Sequence, residues 1–289
     1  MAHPLKSIDK SRPLAGAPAG TDLFGHVSTR DALETTHTHE LVIALCGPIG
    51  SPLHEVAGKL QEMLRDTFGY GDCHIITLSG FIEKHAERAS IGISAEPAQR
   101  RLDLIEHGNA MRASHGHSVL AELAVHAICV DRQQHGRYED TRQYKPRRVC
   151  HIVDSIKNQQ ELELLRMVYG EALHVVGVFA PLEAREASLR HMGIDNASIA
   201  NLMDRDSGEE LAGGQTVQAT FPQCDFFLRM DSNTDTQLRG RVERFLHLIL
   251  GTRVITPTRA EAAMYAAASA AANSACLSRQ VGAAGPDDL

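Results

Sequence analysis

A doubly wound α/β fold built on a mainly parallel sheet is what this sequence predicts, on three observations. Short apolar runs alternate with helical patterns from residue 41 to residue 250. The runs LVIALC, CHIITL, VCHIV and LHVVGVF are nearly continuous in hydrophobicity, as strands buried on both faces must be. The first of them also passes through a glycine turn directly into an amphipathic helix.

Residues 1–37 carry Pro4, Pro13, Pro18 and many small residues with no sustained apolar period, so a flexible tail is expected there. His37 and His39 stand just before the first strand, and two ligands alone do not make a metal site. Leu41 to Cys46 form the first strand, and Val56, Leu60, Met63 and Leu64 mark the helix after it. Such a unit aims the helix N-terminus at the end of a strand, where backbone N–H groups hold phosphate.

Aligned with the phosphate-loop pattern G-x-x-x-x-G-K-[ST], the segment reads Gly47, Pro48, Ile49, Gly50, Ser51, Pro52, Leu53, His54. The second glycine has become proline, the lysine leucine, and the Mg²⁺-binding hydroxyl histidine. Proline supplies no N–H and leucine no charge, so the geometry of a P-loop kinase-like domain is expected with weakened phosphate chemistry.

A turn at Gly69 to Asp72 leads to a second strand, Cys73 to Leu78, closed by Ser79 and Gly80. His85-Ala86-Glu87 has the H-x-E form of a zinc deaminase, but no P-C-x-x-C follows anywhere, so a charged helix face is expected. Pro97 to Val130 is mostly helical, with Gly108 to Arg112 between two apolar stretches, and Tyr138 to Arg148 is a basic insertion. Val149 to Val153 is the third strand and ends in Asp154-Ser155. An acid at that edge of a sheet suits Mg²⁺ binding, or capping of the helix near Gln159 to Tyr169.

The fourth strand is Leu173 to Phe179, followed by Arg185 and Arg190 in the position of a phosphate clamp. Asp204 to Gly214 reads as a loop or lid, Cys224 to Arg229 as a fifth strand, and Asp235 to Leu250 as a helix. Thr258 and Glu261 then form a capping box for an alanine-rich helix over Arg259 to Leu277.

The composition, 43% hydrophobic and 22% charged over 289 residues, is that of an ordinary globular protein. A net charge of −7 argues against a surface that coats nucleic acid. No apolar run is long enough to span a membrane and no signal-peptide core is present, so the cytoplasm is expected. The six scattered cysteines read as reduced thiols, several of them buried.

Five segments taken together resemble the bacterial anti-phage deoxycytidylate deaminases, which join a P-loop kinase-like domain to a zinc-dependent deaminase domain. They are LCGPIGSPL, RLDLIEHGNAMR, HIVDSIKNQQELELLRMVYG, GQTVQATFPQCDFFL and TPTRAEAAMYAAASAAANSACLSRQVGAA. The resemblance implies a kinase-like domain over 38–255 and only the start of a deaminase domain over 256–289. The zinc-holding elements would then lie beyond Ala284, and the chain is expected to be inactive as a deaminase. It leaves open an expression fragment, a truncated gene product or one piece of a split protein. Zinc is implied for full-length relatives only. The implied partners are a nucleotide, the missing deaminase domain, a regulatory RNA and further copies of the chain.

Three functions follow. In the first the domain senses nucleotides and regulates the deaminase, with Gly47, Pro48, Ile49, Gly50, Ser51 and His54 around the phosphate. The second is a working phosphotransferase in which Asp154 organises Mg²⁺ and Lys157, Arg166, Arg185 or Arg190 replaces the lost lysine. The third is a non-catalytic oligomerisation module using the alanine-rich helix.

Overall fold

The computed structural model describes residues 40–135, 147–207, 216–231, 235–276 and 280–285. The expected tail, the His37 and His39 pair, most of the basic insertion and most of the 204–214 lid lie outside them. Five strands, β1 (Glu40–Cys46), β2 (Asp72–Thr77), β3 (Val149–Ile156), β4 (Leu173–Phe179) and β5 (Phe226–Arg229), form one sheet in the order β2-β3-β1-β4-β5. All four pairings are parallel, so the fold class is the predicted one and the sheet is parallel throughout.

The helices are α1 (Leu53–Asp66), α2 (Leu78–Arg88), α3 (Pro97–His115), α4 (Val119–His135), α5 (Gln159–Tyr169), α6 (Leu182–His191), α7 (Asn196–Ser207), the single turn α8 (Val217–Thr220), α9 (Asp235–Ile249) and α10 (Arg259–Ala272). Strand β1 lies at the centre and shows how the sheet is wound. Leu41, Ile43 and Leu45 point into one core with α1 and α9, while Val42, Ala44 and Cys46 point into the other with α2, α4 and α5. Successive side chains of a strand face opposite sides, so a six-residue apolar run fills two cores at once. A third, smaller cluster joins Ala98 and Ile105 of α3, Leu189 of α6 and Leu202 of α7 to Ile49 of the glycine turn. That layer places α3, α6 and α7 against the loop that follows β1.

Several boundaries differ from expectation for identifiable reasons. Ser79 and Gly80 do not close the second strand; they belong to α2, because Leu78, Ile82 and Ala86 recur at helical spacing and are buried. Gly108 to Arg112 is not a break between helices but lies inside α3, where a Cβ on Gly108 would come 2.9 Å from Ile82 Cδ1. The glycine is there for close packing of α2 on α3, which offsets its helix cost of roughly 1 kcal/mol. Asp204 to Ser207 is the last turn of α7, not loop. The alanine-rich helix keeps its Thr258–Glu261 capping box but ends at Ala272, and residues 280–285 form no regular element.

None of the six cysteines is in a disulfide, and Cys46, Cys73, Cys150 and Cys224 are buried. A hydrogen bond to Cys224, together with burial, pushes the Cys46 thiol far up, so it packs as a small apolar group. His85 sits on α2, its Nδ1 2.9 Å from His107 Nε2. Among the described residues no cluster of His, Cys, Asp or Glu can hold a metal ion.

Candidate functional site

The loop after β1 is rigid because its two glycines are crowded. A Cβ on Gly47 would lie 2.4 Å from the Val178 carbonyl oxygen of β4. Gly50 has φ +84°, and a Cβ there would lie 2.8 Å from the Arg185 carbonyl oxygen of α6. Only glycine meets both demands at this approach distance. The turn spends its own amides as well, for Ser51 N–H donates to Pro48 O at 3.1 Å and Leu53 N–H to Ser51 O at 2.8 Å. With Pro48 and Pro52 lacking N–H groups, little of a phosphate cradle is left beyond Ile49 and Gly50.

Asp154 stands inside β3, opposite Leu45 in the register and just before a bulge that pairs Cys46 with Ile156. It therefore does not cap the next helix. Asn158 does, in a capping box with Glu161 that a strand residue four positions earlier has no means to form. The carboxylate of Asp154 is buried and binds His54 Nδ1. His54 occupies the hydroxyl position of the loop pattern, so the two places that would share Mg²⁺ are bonded to each other. The bond to Asp154 raises the pKa of His54 above the ordinary imidazole value, so a protonated ring, not a metal ion, is what meets the Asp154 carboxylate.

The sign of its pH effect follows from that shift. The pair's stabilisation is complete below the unfolded histidine value of about 6.5 and fades as pH rises through the higher folded value. An NMR titration of the His54 ring is expected to show a midpoint above the ordinary value, returned towards it in Asp154→Asn. An unshifted midpoint in the native chain contradicts the pairing.

Lys157, three residues beyond Asp154, reaches the loop. Its ammonium donates to Gly47 O at 2.7 Å and to Asp206 Oδ1 of α7 at 2.8 Å. The other oxygen of Asp206 accepts the Ile49 N–H at 2.6 Å. Arg185 also meets the loop, but weakly, with Nη1 at 3.4 Å from Ile49 O and its Nε buried without a partner.

Arg190 and Arg166 are elsewhere. Arg190 is exposed and held by Glu186 at 2.7 Å and Asn196 at 2.8 Å. Five residues along a helix turn a side chain by about 140° from the face of Arg185. Arg166 lies in the last turn of α5, at the far end of that helix from Lys157, and pairs with Asp225 just before β5. The expected clamp of two arginines is not assembled.

Between the loop, α2 and α3 lies a cavity of about 400 Å³, lined by Ser51, His54, Asp154 and Lys157 among others. Most of the charges that line it are already matched. Arg100 pairs with Glu83 at 2.6 Å, Arg112 with Glu161 at 2.6 Å and Lys157 with Asp206. Arg101 differs, because its guanidinium meets the Pro97 carbonyl at 3.0 Å and the Met192 thioether at 2.7 Å. Neither group carries charge. Burial and the adjacent Arg100 hold its pKa below the usual arginine value, the signature of a cation short of counter-charge. Among the described residues Arg101 forms no ion pair with a carboxylate.

Arg101 and Asp206 carry no motif in the sequence. Only the packing of α3 and α7 beside the loop brings them in, across 157 residues in the case of Asp206.

No family model matches the chain, and no curated protein matches it. Among solved structures, it is similar to shikimate kinase from Bacteroides thetaiotaomicron with a TM-score of 0.42 and 12% identity, over 72% of this chain and 98% of that one. It is similar to the Mycobacterium tuberculosis APS kinase CysC in complex with AMPPNP and APS, with a TM-score of 0.40 and 15% identity, over 74% and 99%. Dephospho-CoA kinase from Campylobacter jejuni gives a TM-score of 0.37 and 11% identity, over 75% and 100%.

Proposed function

We propose that this chain binds a nucleotide in the cavity beside the β1 loop without transferring its phosphoryl group. The observation that carries the reading is Arg101, a partly buried cation lining that cavity with only neutral partners. A guanidinium in such a place is costly unless an anion completes it, and a phosphate matches its forked donors.

Transfer is disfavoured by the same geometry. Phosphoryl transfer requires a metal between the loop and the acid of β3, and there His54 and Asp154 are bonded together. It also relies on the lysine of the loop at the β/γ-phosphates, and Leu53 stands in its place.

Titration calorimetry with ADP, ATP, deoxycytidine nucleotides and RNA, with and without Mg²⁺, tests the reading. Nucleotide binding that does not depend on Mg²⁺ is expected, weakened about tenfold or more in Arg101→Ala through loss of a charge-assisted contact. ADP release from ATP is expected to stay at the level of buffer. Binding by none of the ligands rejects the reading, and ATP turnover that vanishes in Asp154→Asn favours the phosphotransferase alternative.

The link to a deaminase rests on the sequence resemblance over residues 256–284 and on helix α10, which leaves Met264 and Tyr265 exposed beside a buried Ala263 and Ala267. In this finer reading that helix is the attachment point of a catalytic domain that the nucleotide site regulates. Addition of a separately expressed deaminase domain, with its activity followed against nucleotide concentration, tests it. Unchanged activity rejects the regulatory role.

A further inference from the structure

The anion position of the glycine loop is filled by the chain's own Asp206. Its carboxylate is 3% exposed and lies at the last turn of α7. One oxygen takes the Ile49 N–H at 2.6 Å and the other the Lys157 ammonium at 2.8 Å. These are a loop amide and a lysine, the two donor types that a phosphate loop offers its ligand. Helix propensity does not account for the placement, since an acid in a last turn faces the negative end of the helix dipole. The Ser51 hydroxyl lines the same cavity with its oxygen buried and unpartnered, a further donor that the two oxygens of Asp206 leave unused. A phosphate, with three terminal oxygens, has an acceptor for each of the three groups.

We propose that Asp206 is an internal stand-in for phosphate, and that a phosphate or pyrophosphate group enters the Ile49, Ser51 and Lys157 site by displacing it, unseating the C-terminal turn of α7. The proposal rests on the nucleotide reading above only for what carries the phosphate; the exchange itself concerns any oxyanion of that geometry. While Asp206 is seated, its charge repels an incoming phosphate and uses the donors that would bind it. Once a phosphate is bound, the carboxylate has lost both Lys157 and the Ile49 N–H, and the end of α7 loses the bonds that fix it against the loop after β1.

Two probes separate this proposal from the nucleotide reading. Inorganic pyrophosphate tests the loop site alone and ADP tests the cavity as a whole, each by calorimetry on the full chain and on Asp206→Asn. Asparagine keeps an acceptor for Ile49 but removes the charge, so pyrophosphate is expected to bind the variant about tenfold tighter or more, the gain vanishing when Lys157→Met is added. In the native chain, hydrogen exchange over 196–207 is expected to speed up when pyrophosphate saturates.

ADP binding that is equal in both proteins, with no gain for pyrophosphate, overturns the proposal and leaves the nucleotide reading standing. A pyrophosphate gain without ADP binding keeps the exchange and rejects the nucleotide. If neither probe binds either protein, both readings fall. Unchanged exchange at saturation in the native chain overturns the displacement.

Discussion

Replacing Glu161 by alanine is expected to destabilise the chain by about 3–5 kcal/mol, because it strands a buried arginine. The guanidinium of Arg112 is 2% exposed and Glu161 is fully buried, so neither has water to fall back on. Oε1 of Glu161 accepts from Arg112 Nε at 2.9 Å and from Nη2 at 2.6 Å. Oε2 accepts the backbone N–H groups of Lys157 at 2.9 Å and Asn158 at 3.2 Å. Once the carboxylate is gone, Arg112 keeps one weak contact, Asn109 Oδ1 at 3.3 Å. The loss is large against the 5–15 kcal/mol that holds a typical domain.

Urea unfolding of Glu161→Ala and Glu161→Gln provides the measurement. Glutamine retains an acceptor for the two backbone amides and is expected to cost less than alanine. A double replacement of Arg112 by Met and Glu161 by Leu is expected to recover much of the loss, since the charge goes together with its partner. A cost below about 1 kcal/mol for Glu161→Ala contradicts the burial of the pair. The same residue ties stability to the site: Glu161 holds the backbone of Lys157, and the side chain of Lys157 reaches the loop, so nucleotide binding is expected to weaken alongside stability.

How much of this was legible beforehand depends on whether a residue's place is set by its neighbours in the chain. The strands were readable because continuous apolar runs have no stable alternative to a sheet covered on both sides. Asp154 was readable as an acid at the loop because it directly follows the apolar run Val149 to Val153, and His54 because it falls inside a motif. Their bond to each other was not, since 100 residues separate them. The arginines after β4 illustrate the limit: proximity in sequence suggested a clamp, and helical rotation parted Arg185 from Arg190. Arg101 was hidden in a different way. The RRLDL stretch shows two adjacent arginines, and only the packing of α3 on α2 decides that Arg100 finds Glu83 while Arg101 finds no acid. Helix α7 escaped because its DRDSG end reads as loop, although Ile199 and Leu202 anchor it in the cluster around Ile49.

The same chemical change, glycine to alanine, is expected to act with opposite signs at Gly47, in the loop, and at Gly58, in helix α1. At Gly47 the new methyl would lie 2.4 Å from the Val178 carbonyl oxygen, 3.3 Å from a Leu53 methyl and 3.4 Å from the Val178 carbonyl carbon. Two of those atoms are backbone of a buried strand with no rotamer to change, so the loop itself has to move. Overpacking of this kind costs roughly 1–3 kcal/mol and occasionally more, and the upper end is expected here. The displacement also shifts the Gly47 carbonyl that Lys157 holds at 2.7 Å and pulls Ile49 away from Asp206. Gly58 lies on the exposed side of α1 with no atom within 4 Å of a Cβ. Alanine there fills nothing, restricts the unfolded chain and favours the helix, a gain of about 0.4–1 kcal/mol. Thermal unfolding of the two variants compares them directly. A melting temperature lowered by Gly47→Ala and raised by Gly58→Ala is expected, with anion uptake at the loop lost only in the first. If Gly47→Ala melts like the native chain, the loop does not press against β4 as described, and the rigid seat required for the exchange at Asp206 is absent.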